Sequence, residues 1–280
     1  MELKHELQML LDRPMNNEMF KIDEIMREML LNIGNIDSEL RDELIYSTFA
    51  MLISNDLLTS DQMINILKDC LSEDYLFYQI GEKNTDSVFK RSFSALVITE
   101  LLKKDQDTCL LPKSIVVKAI DSSISYLLEE NDTRGYVDGK GWAHSIAHGA
   151  DMLVVAIEHP YFQFENVNKC LNLIKVCLFK ETNYVCNEDE RLMFAIEALL
   201  NNKMIDSNKL EEWIIELNNE LIEFYQKEGR TIKFYKCKNN ILNFLKVIYF
   251  RIDYTKENQK LREIINETIR NWHKNMYQTA

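Results

Sequence analysis

The chain is short of the residues that break regular structure: 280 residues hold only seven glycines and three prolines. Average glycine usage alone is about 7%, so few turns of special geometry can be present and a Gly/Pro-rich linker is excluded. No window reaches the roughly 18 apolar residues that a membrane-spanning helix needs. Met1-Glu-Leu-Lys-His-Glu-Leu7 is too charged to begin a secretory leader. The six cysteines form no CxxC pair, which argues against a zinc ribbon or thioredoxin-like motif. Free thiols and the absence of a leader lead to the expectation of a cytoplasmic protein.

Positive charge is also scarce. The net charge is −12, which disfavours nucleic acid and anionic membrane as partners. Residues 201–280 carry 14 Lys/Arg and 11 Asp/Glu, giving +3, so the first 200 residues carry −15. The basic residues at the end alternate with acids and read as a solvated helix face.

Hydrophobic residues make up 46% of the chain, enough for a substantial core, and they recur at three and four rather than at two. That spacing predicts an all-α fold. Helices are expected at 1–12, 17–33, 37–55, 59–71, 85–104 and 112–130, then in the segment closed by Pro160, and at 161–179, 188–201, 207–228, 231–254 and 257–277. Residues 74–84 read as a looser connection around Gly81. About a dozen helices joined by short turns, in pairs of roughly 40 residues, fit a HEAT- or armadillo-like α-solenoid, although no repeat is visible in the residues themselves. A compact helical bundle or α/α barrel is the alternative. With no linker or charge block to divide it, residues 1–280 read as a single domain.

One stretch departs from this monotony. Arg134-Gly-Tyr-Val-Asp-Gly-Lys-Gly-Trp-Ala-His-Ser-Ile-Ala-His-Gly-Ala-Asp151 holds four of the seven glycines and two of the five histidines. The reading is a charged, glycine-rich loop over 131–141 followed by a helix to 159, with Asp138 as the N-cap of that helix. On a helical wheel Trp142, Ala143, Ile146, Ala150, Leu153, Val154 and Ile157 share one arc, and His144, His148 and Asp151 stack on the opposite one. Gly149 lies beside the apolar arc, where close approach of a neighbouring helix is expected.

Imidazoles at i and i+4 with a carboxylate at i+7 can hold one divalent metal ion, or orient one another around it. A zincin is excluded because Ser145 stands where the general-base Glu is required. A P-loop is excluded by glycine spacing and by Gly141 at the Mg²⁺-binding Ser/Thr position. An anion could still sit on the glycine amides with Arg134 and Lys140. His144 or His148 could serve as general base, oriented by Asp151 or Asp138. In a helical array Arg91, with Asp86 nearby, and Glu190 or Arg191 could converge on the same groove, with Arg41, Asp42 and Glu43 as weaker candidates. The competing reading of these charges is salt bridges that hold helices in register.

The run Arg134–Asp151 resembles a family of uncharacterised bacterial proteins, the domain of unknown function family numbered 2785. Leu40-Arg-Asp-Glu-Leu44, Asp86-Ser-Val-Phe-Lys-Arg-Ser-Phe-Ser94 and Asp189-Glu-Arg-Leu192 share that resemblance, which spans roughly residues 35–260. It implies a helical repeat fold and no particular activity.

Three functions follow as expectations. The first is a helical-repeat protein that binds a small polar ligand or peptide around 131–151. His144, His148 and Asp151 would make polar contacts, Arg134 and Lys140 would supply charge, and Trp142 would anchor the helix. Asp138, Arg91, Glu190 and Arg191 complete the candidate ligand-binding set. The second is a metal-assisted hydrolase at His144, His148 and Asp151, with a divalent ion as cofactor. The third is a scaffold with no chemistry at this stretch.

Overall fold

The structure is a computed structural model, and it describes residues 2–12, 21–252 and 258–277. Sequence expectations at Pro14, 17–20, Tyr254 and Glu257 lie outside these residues. The fold is all-α: twelve α-helices among the described residues and one two-stranded hairpin. Among the described residues, no helix is long and apolar enough to cross a membrane. Contacts group the chain into two compact units, Met1–Phe162 and Gln163–Ala280.

The first unit holds α1 (Glu2–Asp12), α2 (Ile22–Asn32), α3 (Ser47–Ser54), α4 (Ser60–Cys70), α5 (Ser87–Thr108), α6 (Lys113–Glu129) and α7 (Ser145–Glu158). A π-helical segment, Glu39–Tyr46, leads directly into α3. Helix α4 opens on a capping box, in which Thr59 and Gln62 satisfy each other's backbone N–H. Helix α6 follows Pro112, as a proline at a helix start predicts.

Helix α5 organises this unit, with α3, α4, α6 and α7 all packed on it. Phe89, Phe93, Val97, Ile98, Leu101 and Leu102 are buried. Its buried hydroxyls are satisfied along the helix: Ser94 donates to the Lys90 carbonyl at 2.7 Å and Thr99 to that of Ala95 at 2.8 Å.

Helix α7 is nearly enclosed, because α5 and α6 both cover it. Gly149 explains the closeness of α6. A Cβ there would meet Leu127 Cδ2 at 2.6 Å and Tyr126 Cε1 at 2.8 Å. The two helices therefore approach where glycine leaves room, as expected from its place beside the apolar arc.

The second unit holds a 3₁₀ turn at Phe164–Asn166 followed by α8 (Val167–Leu178), α9 (Glu188–Asn201), α10 (Ser207–Glu228), α11 (Ile232–Arg251) and α12 (Gln259–Tyr277). Asp206 caps α10 and Thr231 caps α11 through their side-chain oxygens. Helix α11 packs on α8, α9, α10 and α12. Trp213, Phe234, Phe244 and Trp272 supply much of the core's aromatic volume.

Candidate functional site

The glycine-rich stretch is a β-hairpin rather than a loop. Strand β1 (Tyr136–Val137) pairs antiparallel with β2 (Gly141–Trp142), with Tyr136 opposite Trp142. Gly139 and Gly141 hold φ of +72° and +79°, which glycine adopts without a Cβ penalty. Asp138-Gly139 between Tyr136-Val137 and Gly141-Trp142 is the local signal for such a turn, and helical periodicity obscured it.

The helix after it begins later than the wheel implied. Asp138 is exposed at the hairpin turn and does not cap α7. His144 occupies the N-cap position instead, so Trp142 and Ala143 precede the helix. His144 has φ +45°, left-handed for a residue with a side chain. Such a conformation costs on the order of 1–3 kcal/mol and concentrates at functional sites. The Ala143 N–H donates to the Gly135 carbonyl at 2.8 Å, and the His148 N–H donates to the His144 carbonyl at 2.8 Å. These bonds hold the hairpin against the first turn of α7.

The two imidazoles meet. Their ring centres lie 5.6 Å apart at 78°. They belong to a longer run of rings: Phe93 contacts His148 at 5.3 Å, His144 contacts Trp142 at 4.2 Å, and Trp142 contacts Tyr136 at 5.0 Å. The run passes from buried Phe93 on α5 to the exposed hairpin pair. Both histidines and Asp151 are half-buried.

Arg41 anchors the hairpin from below. It lies on the π-helical segment, a rare winding that recurs at functional sites, and it is fully buried. Its guanidinium covers the rings of Phe89 at 4.2 Å and Phe93 at 4.8 Å. It donates to the carbonyls of Asn35 at 2.6 Å and Lys140 at 2.7 Å. Arg41 Nε lies 2.7 Å from Asp42 Oδ1. The alignment is poor, so the contact is an ion pair by distance rather than a hydrogen bond.

The Asp42 carboxylate accepts the Trp142 N–H, yet burial raises its pKa more than that bond and Arg41 lower it. Gly141 fits this floor tightly, since a Cβ would meet Ser38 Cβ at 2.6 Å and the polar ends of Arg41 and Asp42 at 3.0 Å. Among the weaker candidates in the sequence, Arg41 and Asp42 are therefore central to the geometry.

A second buried network fixes the strand entering the hairpin. Arg91 and Glu130 are both fully buried and pair through two bonds of 2.7 and 2.9 Å. Arg91 also donates to the carbonyls of Tyr78 and Gln79 and to the Ser87 hydroxyl. Glu130 accepts the Asp132 N–H at 2.8 Å. Buried Asp132 then holds Arg134, Nη2 to Oδ2 at 2.6 Å, and the same Nη2 reaches the Thr85 carbonyl at 2.5 Å. The Ser145 hydroxyl donates to the Asp132 carbonyl, tying this network to the start of α7.

These pairings correct the expected charge of the site. Arg91 is an internal partner of Glu130, Arg134 is held by Asp132, and Lys140 pairs with Asp86 at 2.7 Å. Arg134 and Lys140 thus do not present uncompensated positive charge. Asp86 and Asn35 also line an open cleft of about 550 Å³ beside the hairpin, together with Tyr78, Glu82 and Lys90.

Glu190 and Arg191 lie in the second unit, in the first turn of α9. Three acids, Glu188, Asp189 and Glu190, precede Arg191; Glu190 is exposed, and Glu188 is buried and accepts the Cys186 N–H at 2.9 Å. Burial raises the pKa of Glu188 and of Asp189.

One pairing escaped the sequence altogether. His159 and Asp105 are both buried, with Nε2 and Oδ2 3.2 Å apart. The Tyr161 N–H donates to His159 Nδ1 at 3.2 Å. The ring therefore carries its proton on Nε2 and donates it to Asp105, closing the end of α7 onto α5. A lone histidine 54 residues from its acid offers no local signal.

Fold and site together define an all-α protein with an imidazole pair on a hairpin-capped helix. The chain belongs to the family described as protein of unknown function (DUF2785), which it matches over residues 76–250. It matches no curated protein and no solved structure.

Proposed function

We propose that the protein is a helical-repeat protein of the α-solenoid kind that binds a small polar ligand at the hairpin and the first turns of α7. His144, His148 and Asp151 make the polar contacts, Trp142 forms an exposed wall, and Asp138 lies at the rim. One observation carries the reading: the continuous contact of Trp142, His144 and His148 at 4.2 and 5.6 Å, with His144 in the left-handed region. The buried Arg41 and the Arg91–Glu130–Asp132–Arg134 network supply the rigid support that a precise site requires. Six free thiols fit a reducing cytoplasm.

Thermal melts of His148→Ala and Asp151→Ala test this against a scaffold role. A binding site predicts losses no greater than about 1 kcal/mol in each variant, together with loss of ligand-induced stabilisation in a screen of polar metabolites. A collapse of stability in both variants, with no compound stabilising the wild type, would refute it.

A second reading, metal-assisted hydrolysis at His144, His148 and Asp151, draws on the ring separation. Ring centres 5.6 Å apart lie within the span that two Zn–N bonds of about 2.0–2.1 Å can bridge, but the ligand atoms of His144, His148 and Asp151 do not all come within 4.8 Å of one another. Elemental analysis of protein purified without a histidine tag decides it. Less than about a tenth of an equivalent, with no affinity for Zn²⁺, Mn²⁺ or Fe²⁺, removes this reading under its own requirement of a bound ion.

A further inference from the structure

We infer that the ligand of this site carries a small organic cation, an alkylammonium or guanidinium group, received by the Tyr136–Trp142 corner. The inference rests on the ligand-binding reading above and names the chemistry it recognises.

Charge around the hairpin is the first ground. Arg41, Arg91, Arg134 and Lys140 each have a carboxylate of their own in Asp42, Glu130, Asp132 and Asp86. These four pairs cancel. Asp138, at the exposed hairpin turn, has no ion pair among the described residues. The hairpin therefore presents a net negative rim, in a chain whose overall charge of −12 already favours the approach of cations.

Ring geometry is the second ground. Tyr136 and Trp142 are cross-strand partners, 5.0 Å apart and inclined at 79°, so their faces form two walls of a corner. They remain 55% and 41% exposed. The first unit fills two comparable two-ring sites with its own cations. Arg41 covers Phe89 and Phe93, and Lys90 lies 5.1 and 4.7 Å from the rings of Tyr75 and Tyr78. Among the described residues, no Lys or Arg covers Tyr136 or Trp142, and the ring nearest Trp142 is the His144 imidazole at 4.2 Å. Aromatic faces attract cations through the ring quadrupole, with tryptophan the strongest. Arg41 and the absence of space at Gly141 hold this corner rigidly, so a ligand meets it already formed.

The test is a nuclear magnetic resonance titration of the full chain labelled at its tryptophan indoles. The Trp142 signal is assigned through Trp142→Phe. The probes are choline, its uncharged isostere 3,3-dimethyl-1-butanol, and inorganic phosphate. Choline should move the Trp142 resonance to saturation, with the isostere weaker by about threefold to thirtyfold. Tyr136→Leu, an exposed change whose folding is checked by its melting curve, should weaken choline by a similar factor. Asp138→Asn should weaken it by about twofold or more, a difference erased near 1 M salt.

Equal binding of the isostere, or choline binding indifferent to both variants, overturns the inference. Saturable phosphate binding without choline binding overturns it too, yet leaves the ligand site standing. A wild-type Trp142 signal unmoved by every probe overturns it as well, and the melting-curve screen with His148→Ala and Asp151→Ala then decides the site itself.

Discussion

Replacing Arg91 with Met tests the central network. Arg91 and Glu130 are both fully buried and joined by two hydrogen bonds. Removing the guanidinium leaves a carboxylate in the interior without its counter-charge, still accepting the Asp132 N–H and in contact with the Tyr126 hydroxyl. Breaking a buried pair from one side costs about 3–5 kcal/mol. Arg91→Met should lose that much, and Glu130→Met a comparable amount.

The double variant removes both charges. It leaves the Tyr78 and Gln79 carbonyls and the Asp132 N–H without these partners, at about 1–3 kcal/mol for each that stays unsatisfied. Its loss should therefore fall well short of the summed singles, with a coupling of up to about 3 kcal/mol. Urea unfolding measures this. Trp142 reports the first unit alone in a Trp213→Phe, Trp272→Phe background, because the other two tryptophans lie in the second unit. Additive single losses, or an Arg91→Met loss below about 1 kcal/mol, would show that the network does not hold the hairpin's entry strand.

Other outcomes follow from the same structure. Gly149→Ala gains about 1 kcal/mol of helix propensity and meets Leu127 and Tyr126 at under 3 Å. Overpacking of about 1–3 kcal/mol should leave it destabilised in urea, and a stabilised variant would mean that α6 and α7 are less closely set. Burial raises the folded-state pKa of Glu188 above its unfolded value. Its contribution is full below the unfolded pKa of about 4.3 and is lost as pH climbs through the folded value. Glu188→Gln should therefore gain on the wild type between about pH 4 and pH 7 in urea midpoints, and a difference that shrinks with rising pH contradicts this. Burial pushes the Cys170 thiol up to about 12 and Cys177 to about 11, and Cys70 further still. A thiol reagent near pH 8 should label exposed Cys109 and half-buried Cys186 first. Labelling of Cys70 before unfolding would contradict the burial described for it.

Much of the helical order was legible because its signals are local. Glu188–Asn201 and Ser207–Glu228 match their expected bounds, and Thr59, Thr231 and Pro112 mark helix starts by ordinary capping chemistry. The hairpin was obscured because two-residue strands are too short to show a period of two. The π-helical segment around Arg41 was invisible for a different reason: its residues read as an ordinary helix, and only the hydrogen-bond pattern reveals the wider winding.

The candidate site divides in the same way. Residue spacing alone singled out Gly149 as a point of close approach and put His148 and Asp151 on the helix, but His144, expected on the same helical face, caps it with a left-handed backbone. Which cations are free was decided only by the tertiary structure. Arg91 reaches Glu130 across 39 residues, Lys140 reaches Asp86 across 54, and Arg41 reaches the Lys140 carbonyl across 99. Charge neutralisation depends on distance in space, and a linear chain does not encode that distance until its helices have packed.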